Sequence, residues 1–185
     1  ITVTITPTND PPTVDLDADD SSGATINDYA VTFTEGGAPI GIADIDTDVV
    51  DPDSTTFAYV KLAVSGLLNG NAEKLILDAD TFSLATAVAG QNTTGGNYHV
   101  VVATGAGTAT PTITKQGGGT FTEIETETLI KAIQYQHSDT SNPTDGDRLI
   151  DVIVNDGAAD SNAARTTINV NPVNDPPTAV ADGFT

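Results

Sequence analysis

Three residue types are missing from this 185-residue chain, which has no cysteine, no methionine and no tryptophan. Without cysteine there is no disulfide, no thiol nucleophile and no thiolate zinc site, so stability in an exposed environment has to come from packing or from bound ions. Basic residues are nearly as scarce. Lys61, Lys74, Lys115, Lys131, Arg148 and Arg165 face 26 acids, for a formal charge of −20 and a pI of about 4.1. Phosphate backbones are neutralised by Lys and Arg, and these six are scattered singly, which excludes a nucleic-acid partner and disfavours an anionic membrane. No apolar run approaches the ~18 residues of a membrane span. The stretch Ile1-Thr-Val-Thr-Ile-Thr6 lacks the basic start and apolar run of a signal peptide, so targeting information is expected elsewhere.

What the chain has in excess is aspartate, 21 against 5 glutamates. Asp competes with the helix backbone where Glu does not, so this excess points to loops and turns. With 38% hydrophobic and 5% aromatic residues, the composition supports thin β cores rather than disorder. Short alternating segments between turn residues predict an all-β sandwich with strands at 13–17, 29–34, 39–43, 57–65, 73–78, 82–88, 97–103, 110–115, 132–137, 148–154 and 165–171. One segment breaks the pattern. In Glu123–Ile133, Leu129, Ile130 and Ile133 fall at helical spacing behind acids that suit a helix N-terminus, which predicts a single short helix.

A self-match defines the unit. Residues 2–13, ending in Pro7-Thr-Asn9-Asp10-Pro11-Pro12-Thr13, recur at 167–178, ending in Pro172-Val-Asn174-Asp175-Pro176-Pro177-Thr178, an offset of 165. Each copy is a period-2 strand running into a Pro-x-Asn-Asp-Pro-Pro segment whose prolines cannot continue a sheet interior, so it reads as a semi-rigid joint. Residues 1–12 are accordingly expected to be the end strand and joint of a preceding module, 13–177 a single β-sandwich module, and 178–185 the start of the next.

Several acid groupings suit calcium, which takes six to eight oxygens from carboxylates, carbonyls and water. The densest holds Asp44, Asp46, Asp48, Asp51 and Asp53, close enough to repel one another unless a cation sits between them. It is not an EF-hand, since the sixth position is Val49 and the twelfth Thr55. Calcium and a solvated acidic loop are its two readings. In Ser138–Arg148, Asp139 precedes Asp145-Gly-Asp147, which offers two carboxylates across a turn; metal and plain turn chemistry compete there. Asn155-Asp156-Gly157 is a hairpin-turn signal, with Asp160 and Asn162 just beyond it. Asp15, Asp17, Asp19 and Asp20 read as a solvated face or as joint ligands. His99 and His137 are expected on strand surfaces, and Tyr98 and Tyr135 in the core or along a groove. Asn92-Thr-Thr94 fits a glycosylation acceptor and implies an exposed loop. Catalytic signatures are lacking: no Gly-x-Ser-x-Gly, no His-Glu-x-x-His, no phosphate loop, and no carboxylate pair that stands apart from the rest. A non-enzyme is expected.

Phe33-Thr34-Glu35-Gly36-Gly37, Asp51-Pro52-Asp53-Ser54, the run from Asp147 through Asn155-Asp156-Gly157 to Asp160-Ser161, and Val173-Asn174-Asp175-Pro176-Pro177 together resemble the cadherin-like modules of giant bacterial RTX adhesins. The resemblance covers most of both ends and thins in the middle. It implies a calcium-loaded cadherin-like or Ig-like sandwich, a monomeric module strung to its neighbours by Asn-Asp-Pro joints on the cell surface. It also implies calcium ligation by Glu35, Asp51, Asp53, Asp151, Asp156, Asp160 and the joint acids Asp10 and Asp175. The joints depart from the eukaryotic cadherin linker, which has an Asp where this chain has Pro7 and Pro172.

The stretch from Ala85 to Thr122 looks longer than a plain repeat needs, and long extra loops on a rigid sandwich are where binding sites tend to lie. Here the chain is similar to the peptide-binding module of such adhesins, in which calcium helps hold the free C-terminal carboxylate of a target protein. That implies ligand contacts at Asn97, Tyr98, His99 and the loop carrying Asp139, Asp145 and Asp147. Two alternatives stand beside peptide capture: a calcium-stiffened extender without ligand, and calcium-dependent carbohydrate binding, against which the few aromatics count. Deletion of 91–119 is expected to separate the first two, leaving an extender folded and a receptor without ligand.

Overall fold

The computed structural model describes residues 8–177; the end strands expected at 1–6 and 178–185 lie outside them. Strands are numbered in chain order. The larger sheet has seven, in the order β2 (Tyr29–Thr34), β15 (Ala164–Asn171), β14 (Gly146–Asn155), β6 (Tyr59–Ser65), β11 (Thr108–Lys115), β10 (Tyr98–Gly105) and β9 (Val88–Asn92). A second sheet orders β3 (Ile40–Gly41), β13 (Gln134–His137), β7 (Glu73–Leu77) and β8 (Asp80–Ser83). Two short pairs, β1 (Thr13–Asp15) with β4 (Asp48–Val50) and β5 (Thr56–Phe57) with β12 (Phe121–Thr122), join them, along with one helix, α1 (Glu123–Ala132). The described residues are thus all-β apart from that helix and a single 3-10 turn. No described helix is long and apolar enough to cross a membrane.

Alternation builds the core. Along β6, Val60, Leu62 and Val64 are buried while Lys61 and Ala63 are only half-buried, and β14 buries Ile150, Val152 and Val154 in the same rhythm. Facing them are Leu75, Leu77, Phe82, Leu129, Ile130, Ile133 and Tyr135, while Phe33 extends their own layer from β2. Each such aliphatic side chain stabilises the fold by about 1.5–3 kcal/mol relative to exposure. Phe33 and Tyr135 meet edge to face at 5.8 Å, bringing β2 of one sheet against β13 of the other.

The register fixes two ends. Asn155 pairs with Tyr59 at one end of β14, here the upper end, and Gly146 pairs with Val170 at the lower end. Antiparallel pairing carries this direction across the sheet, placing Tyr98 and Lys115 at the top and Gly105 and Thr108 at the bottom. Among the described strands, β2 and β15 form the one parallel pair, running together from Tyr29 and Thr166 down to Thr34 and Asn171.

Several expectations need correction. The strand expected at 82–88 is two strands, β8 and β9, which belong to different sheets. A strand, β4, lies inside the acidic run 44–53, where only a loop was expected. The Ala85–Thr122 stretch is not a set of appended loops: β9, β10 and β11 complete the large sheet and bury Val100, Val102, Ala109 and Ile113. The strands expected at 97–103 and 110–115 are present there as β10 and β11, whereas β9, with no fully buried residue, offers no alternation to mark it. His137 is buried rather than on a strand surface, packed 6.3 Å from the Phe33 ring.

Candidate metal centre

The densest meeting of acids joins two segments distant in the chain. Asp44 and Asp46 lie beside Asp17 and Asp19, one oxygen from each falling within 4.8 Å of all the others, a grouping that could hold a metal ion. The backbone puts them there. The Asp44 N–H donates to the Leu16 carbonyl at 2.8 Å, and the buried Thr47 hydroxyl donates to the carbonyls of Asp44 and Leu16 at 2.7 and 3.2 Å. The Asp19 N–H then donates to Asp46 Oδ2 at 2.9 Å, and the Ser21 hydroxyl to Asp44 Oδ2 at 2.8 Å.

Asp17 organises the loop. Burial alone raises its carboxyl, yet the Ser22 and Ser21 N–H groups, at 2.8 and 3.0 Å, hold it below the ordinary value. Neighbouring Asp15 is pushed the other way, by burial first and then by the charges of Asp20, Asp46 and Asp17, against a hydrogen bond from the Asp17 N–H. This corner of the molecule therefore carries uncompensated negative charge, the condition under which a cation is favoured.

Five buried side-chain polar atoms lack a hydrogen-bond partner among the described residues, and three of them are carboxylate oxygens: Asp46 Oδ1, Asp51 Oδ2 and Glu35 Oε1. Leaving such an oxygen without a donor costs about 1–3 kcal/mol or more. Asp46 belongs to the four-acid group. Asp51 stands at the N-terminal joint, where its Oδ1 accepts the Asp53 and Ser54 N–H groups at 3.0 and 2.8 Å. There the Asp10 N–H donates to Asp53 at 3.2 Å and the Asn9 amide to Asp156 at 2.8 Å. Glu35 stands at the C-terminal joint, its Oε2 accepting the Val173 N–H at 2.8 Å. Asp156 follows the upper end of β14, whereas Glu35 follows the lower end of β2, so the two joints lie at opposite ends of the large sheet, about 30 Å apart for a ten-residue strand.

The other expected ligands are placed elsewhere. Asp151 pairs with Arg165 at 2.7 Å and Asp160 with Lys61 at 2.7 Å. Asp48 sits opposite Asp15 in the β1–β4 pair with its side chain exposed. Asp139 accepts the N–H groups of Ser141 and Asn142, Asp147 accepts the Asn169 amide at 3.0 Å, and Asp145 and Asp175 are exposed. Asp17 and Asp19, half of the four-acid group, were legible only as an alternating acid run; nothing in one dimension pairs them with Asp44 and Asp46.

The expected ligand contacts divide between the two ends. Asn97 donates to Asp78, Tyr98 packs 6.1 Å from Phe121, and His99 Nδ1 lies 2.8 Å from Asn92 Oδ1, all near the top of β10. Asp147 is at the bottom of β14, with β6 and β11 in between, so the two halves form no single cleft. Gly95 shows why its loop is glycine-rich: a Cβ there would lie 1.9 Å from Asp78 Oδ1. A cavity of about 170 Å³ opens beside Asn97 and Tyr98, floored by Phe121, lipped by exposed Ile124 and walled by the Lys115–Glu125 ion pair at 2.8 Å. Comparison of the chain with protein-family models, with curated proteins and with solved structures finds no match.

Proposed function

We propose that this chain is a calcium-stiffened spacer, a cadherin-like module of a bacterial surface adhesin that holds its neighbours apart on the outside of the cell. The observation that carries the reading is the set of three orphaned carboxylate oxygens, one in the four-acid group and one at each joint. Calcium satisfies such oxygens without a hydrogen-bond donor. Ions at Asp51 and Glu35 would tie the joint segments to the sandwich, and an ion among Asp17, Asp19, Asp44 and Asp46 would fix the loop between β1 and β2. The parallel β2–β15 pair and the resemblance at both ends of the sequence support the cadherin-like assignment.

The test is calcium titration with thermal melting and calorimetric ion counting. Calcium is expected to raise the melting temperature by mass action, since ions bound only to the folded state stabilise it. Asp46→Asn, Asp51→Asn and Glu35→Gln should each lower the ion count by one. Identical melting curves in calcium and in chelator would overturn the reading.

A second reading, capture of a protein or peptide C-terminus, draws support from the cavity beside Asn97 and Tyr98. Its volume slightly exceeds that of cavities of about 150 Å³ that take a benzene ring, enough for one apolar side chain of a ligand. Screening against peptides with free and amidated C-termini tests it. A hit lost on amidation, on chelation and in Phe121→Ala would favour capture over spacing.

A further inference from the structure

β2 and β15 run in parallel over six register pairs, Tyr29–Thr166 to Thr34–Asn171, and β15 is held on its other side by seven pairs to β14. The chain leaves this ladder at its lower end, through Asn171 and the joint beyond. It enters the sandwich at the upper end, where Asn162 grips β1 from both sides: the Val14 N–H donates to Asn162 Oδ1 at 2.8 Å, and the Asn162 amide donates to the Val14 carbonyl at 2.9 Å. Slack between β1 and β2 is closed by the Leu16 N–H donating to the Asn27 carbonyl at 3.1 Å, and by the Asp17 contacts to Ser21 and Ser22. A pull on the N-terminal joint therefore reaches β2 from above, while a pull on the C-terminal joint reaches β15 from below.

We propose that the parallel β2–β15 ladder is a mechanical clamp: tension between the joints loads its hydrogen bonds in shear, so the module resists extension along its long axis far more than peeling from one end. The physics is geometric. Opposed forces along two paired strands strain all their bonds together, whereas a force across the strands at one end breaks them in turn. Peptide hydrogen bonds are individually modest, so simultaneous loading is what makes the ladder strong. Glu35 prolongs the clamp by donating its N–H to the Asn171 carbonyl at 3.0 Å and accepting the Val173 N–H. The inference rests on the spacer reading in one respect, that both joints transmit load to neighbouring modules; it does not require calcium.

The absence of cysteine allows the direction of load to be chosen. In the whole chain, handles at Thr8→Cys and Pro177→Cys pull along the axis, and handles at Ala106→Cys and Pro177→Cys, both at the lower end, peel β15. Axial unfolding is expected to need several-fold more force than peeling, in calcium and in chelator alike. Equal forces in the two directions would overturn the clamp. Proline substitution probes the bonds themselves. Because Glu35 N–H points to β15, alternation along β2 directs the Val31 N–H to β15 and the exposed Thr32 N–H away from it. Val31→Pro should lower the axial force well below that of Thr32→Pro, and equal axial forces in the two would count against the clamp. Should Val31→Pro fail to fold, the two pulling directions, compared in chains bearing only surface cysteines, still decide. Melting that ignores chelator would remove the calcium reading and leave the clamp standing.

Discussion

Arg148 and Glu73 are both fully buried and paired through Nε and Oε1, tying β14 of one sheet to β7 of the other. Four of the five guanidinium N–H groups are used, Nε on Glu73 and the others on Gly146 O, Asn69 Oδ1 and Thr144 O, and Glu73 Oε2 accepts the Leu68 and Asn69 N–H groups. Breaking one side leaves an uncompensated buried charge, so Glu73→Leu should cost about 3–5 kcal/mol in urea unfolding, while Glu73→Leu with Arg148→Met should cost far less. A near-neutral single variant would refute this account. Asp160 is a surface case with a pH signature. Lys61, then Tyr59 and Asn155, hold its carboxyl at about 2. A depressed acid stabilises the fold above its unfolded pKa of about 3.9 and loses that contribution as the pH falls toward 2. The Asp160 side chain is 41% exposed, and solvent screening limits the effect to about 1 kcal/mol or less. Asp160→Asn should therefore lower the urea midpoint slightly at pH 7 and leave it unchanged at pH 2; equal losses at both would sink the assignment. Asp160 also shows what sequence cannot convey. Its acid character is plain, but its cation lies 99 residues away, and only the β6–β14 register brings them together.

At the scale of elements, long alternating strands were legible and short ones were not. β14 and β15 repeat buried and open positions over eight or more residues, a signal strong enough to place them by pattern alone. β3, β5 and β12 are two residues each, too short for any period, and owe their pairing to the sheets around them. The helix was legible from Leu129, Ile130 and Ile133, and its start carries a second signal in Thr122 and Glu125, which form a reciprocal capping box. Thr122→Ala should cost about 1 kcal/mol of stability, measured in urea; no loss would mean that packing of Leu129 and Ile130 alone holds the helix. The central stretch reverses the expectation for its deletion. Removing 91–119 takes out β10, β11 and the last two residues of β9, and leaves β6 without its neighbour on that side. The truncated chain is expected to lose its native far-UV and amide NMR signature whatever its function, so a folded deletion product would contradict the seven-stranded sheet.

Across the whole molecule, the opposite placement of the two joints turns a repeat in the sequence into a geometric statement. The offset of 165 residues returns the chain to the same Pro-x-Asn-Asp-Pro-Pro motif at the far end of the sheet, a placement that suits the proposed spacer. The cost of this design is electrostatic: 26 acids against 6 bases repel one another in the compact state more than in the unfolded one. Two kinds of cation can relieve that repulsion, and they act differently. Sodium screens exposed charges over about 8 Å at physiological ionic strength but reaches buried pairs poorly. On the proposed reading calcium would act instead on the clustered and orphaned oxygens of Asp46, Asp51 and Glu35. In chelator, raising sodium chloride should therefore raise the melting temperature substantially, because the whole surface charge is then unrelieved. With calcium bound the same salt should raise it much less, and Asp46→Asn in chelator should melt higher than the parent chain, since it removes a charge that no ion then offsets. Equal salt dependence with and without calcium would place the repulsion on the open surface and leave the acid clusters with no special part in it.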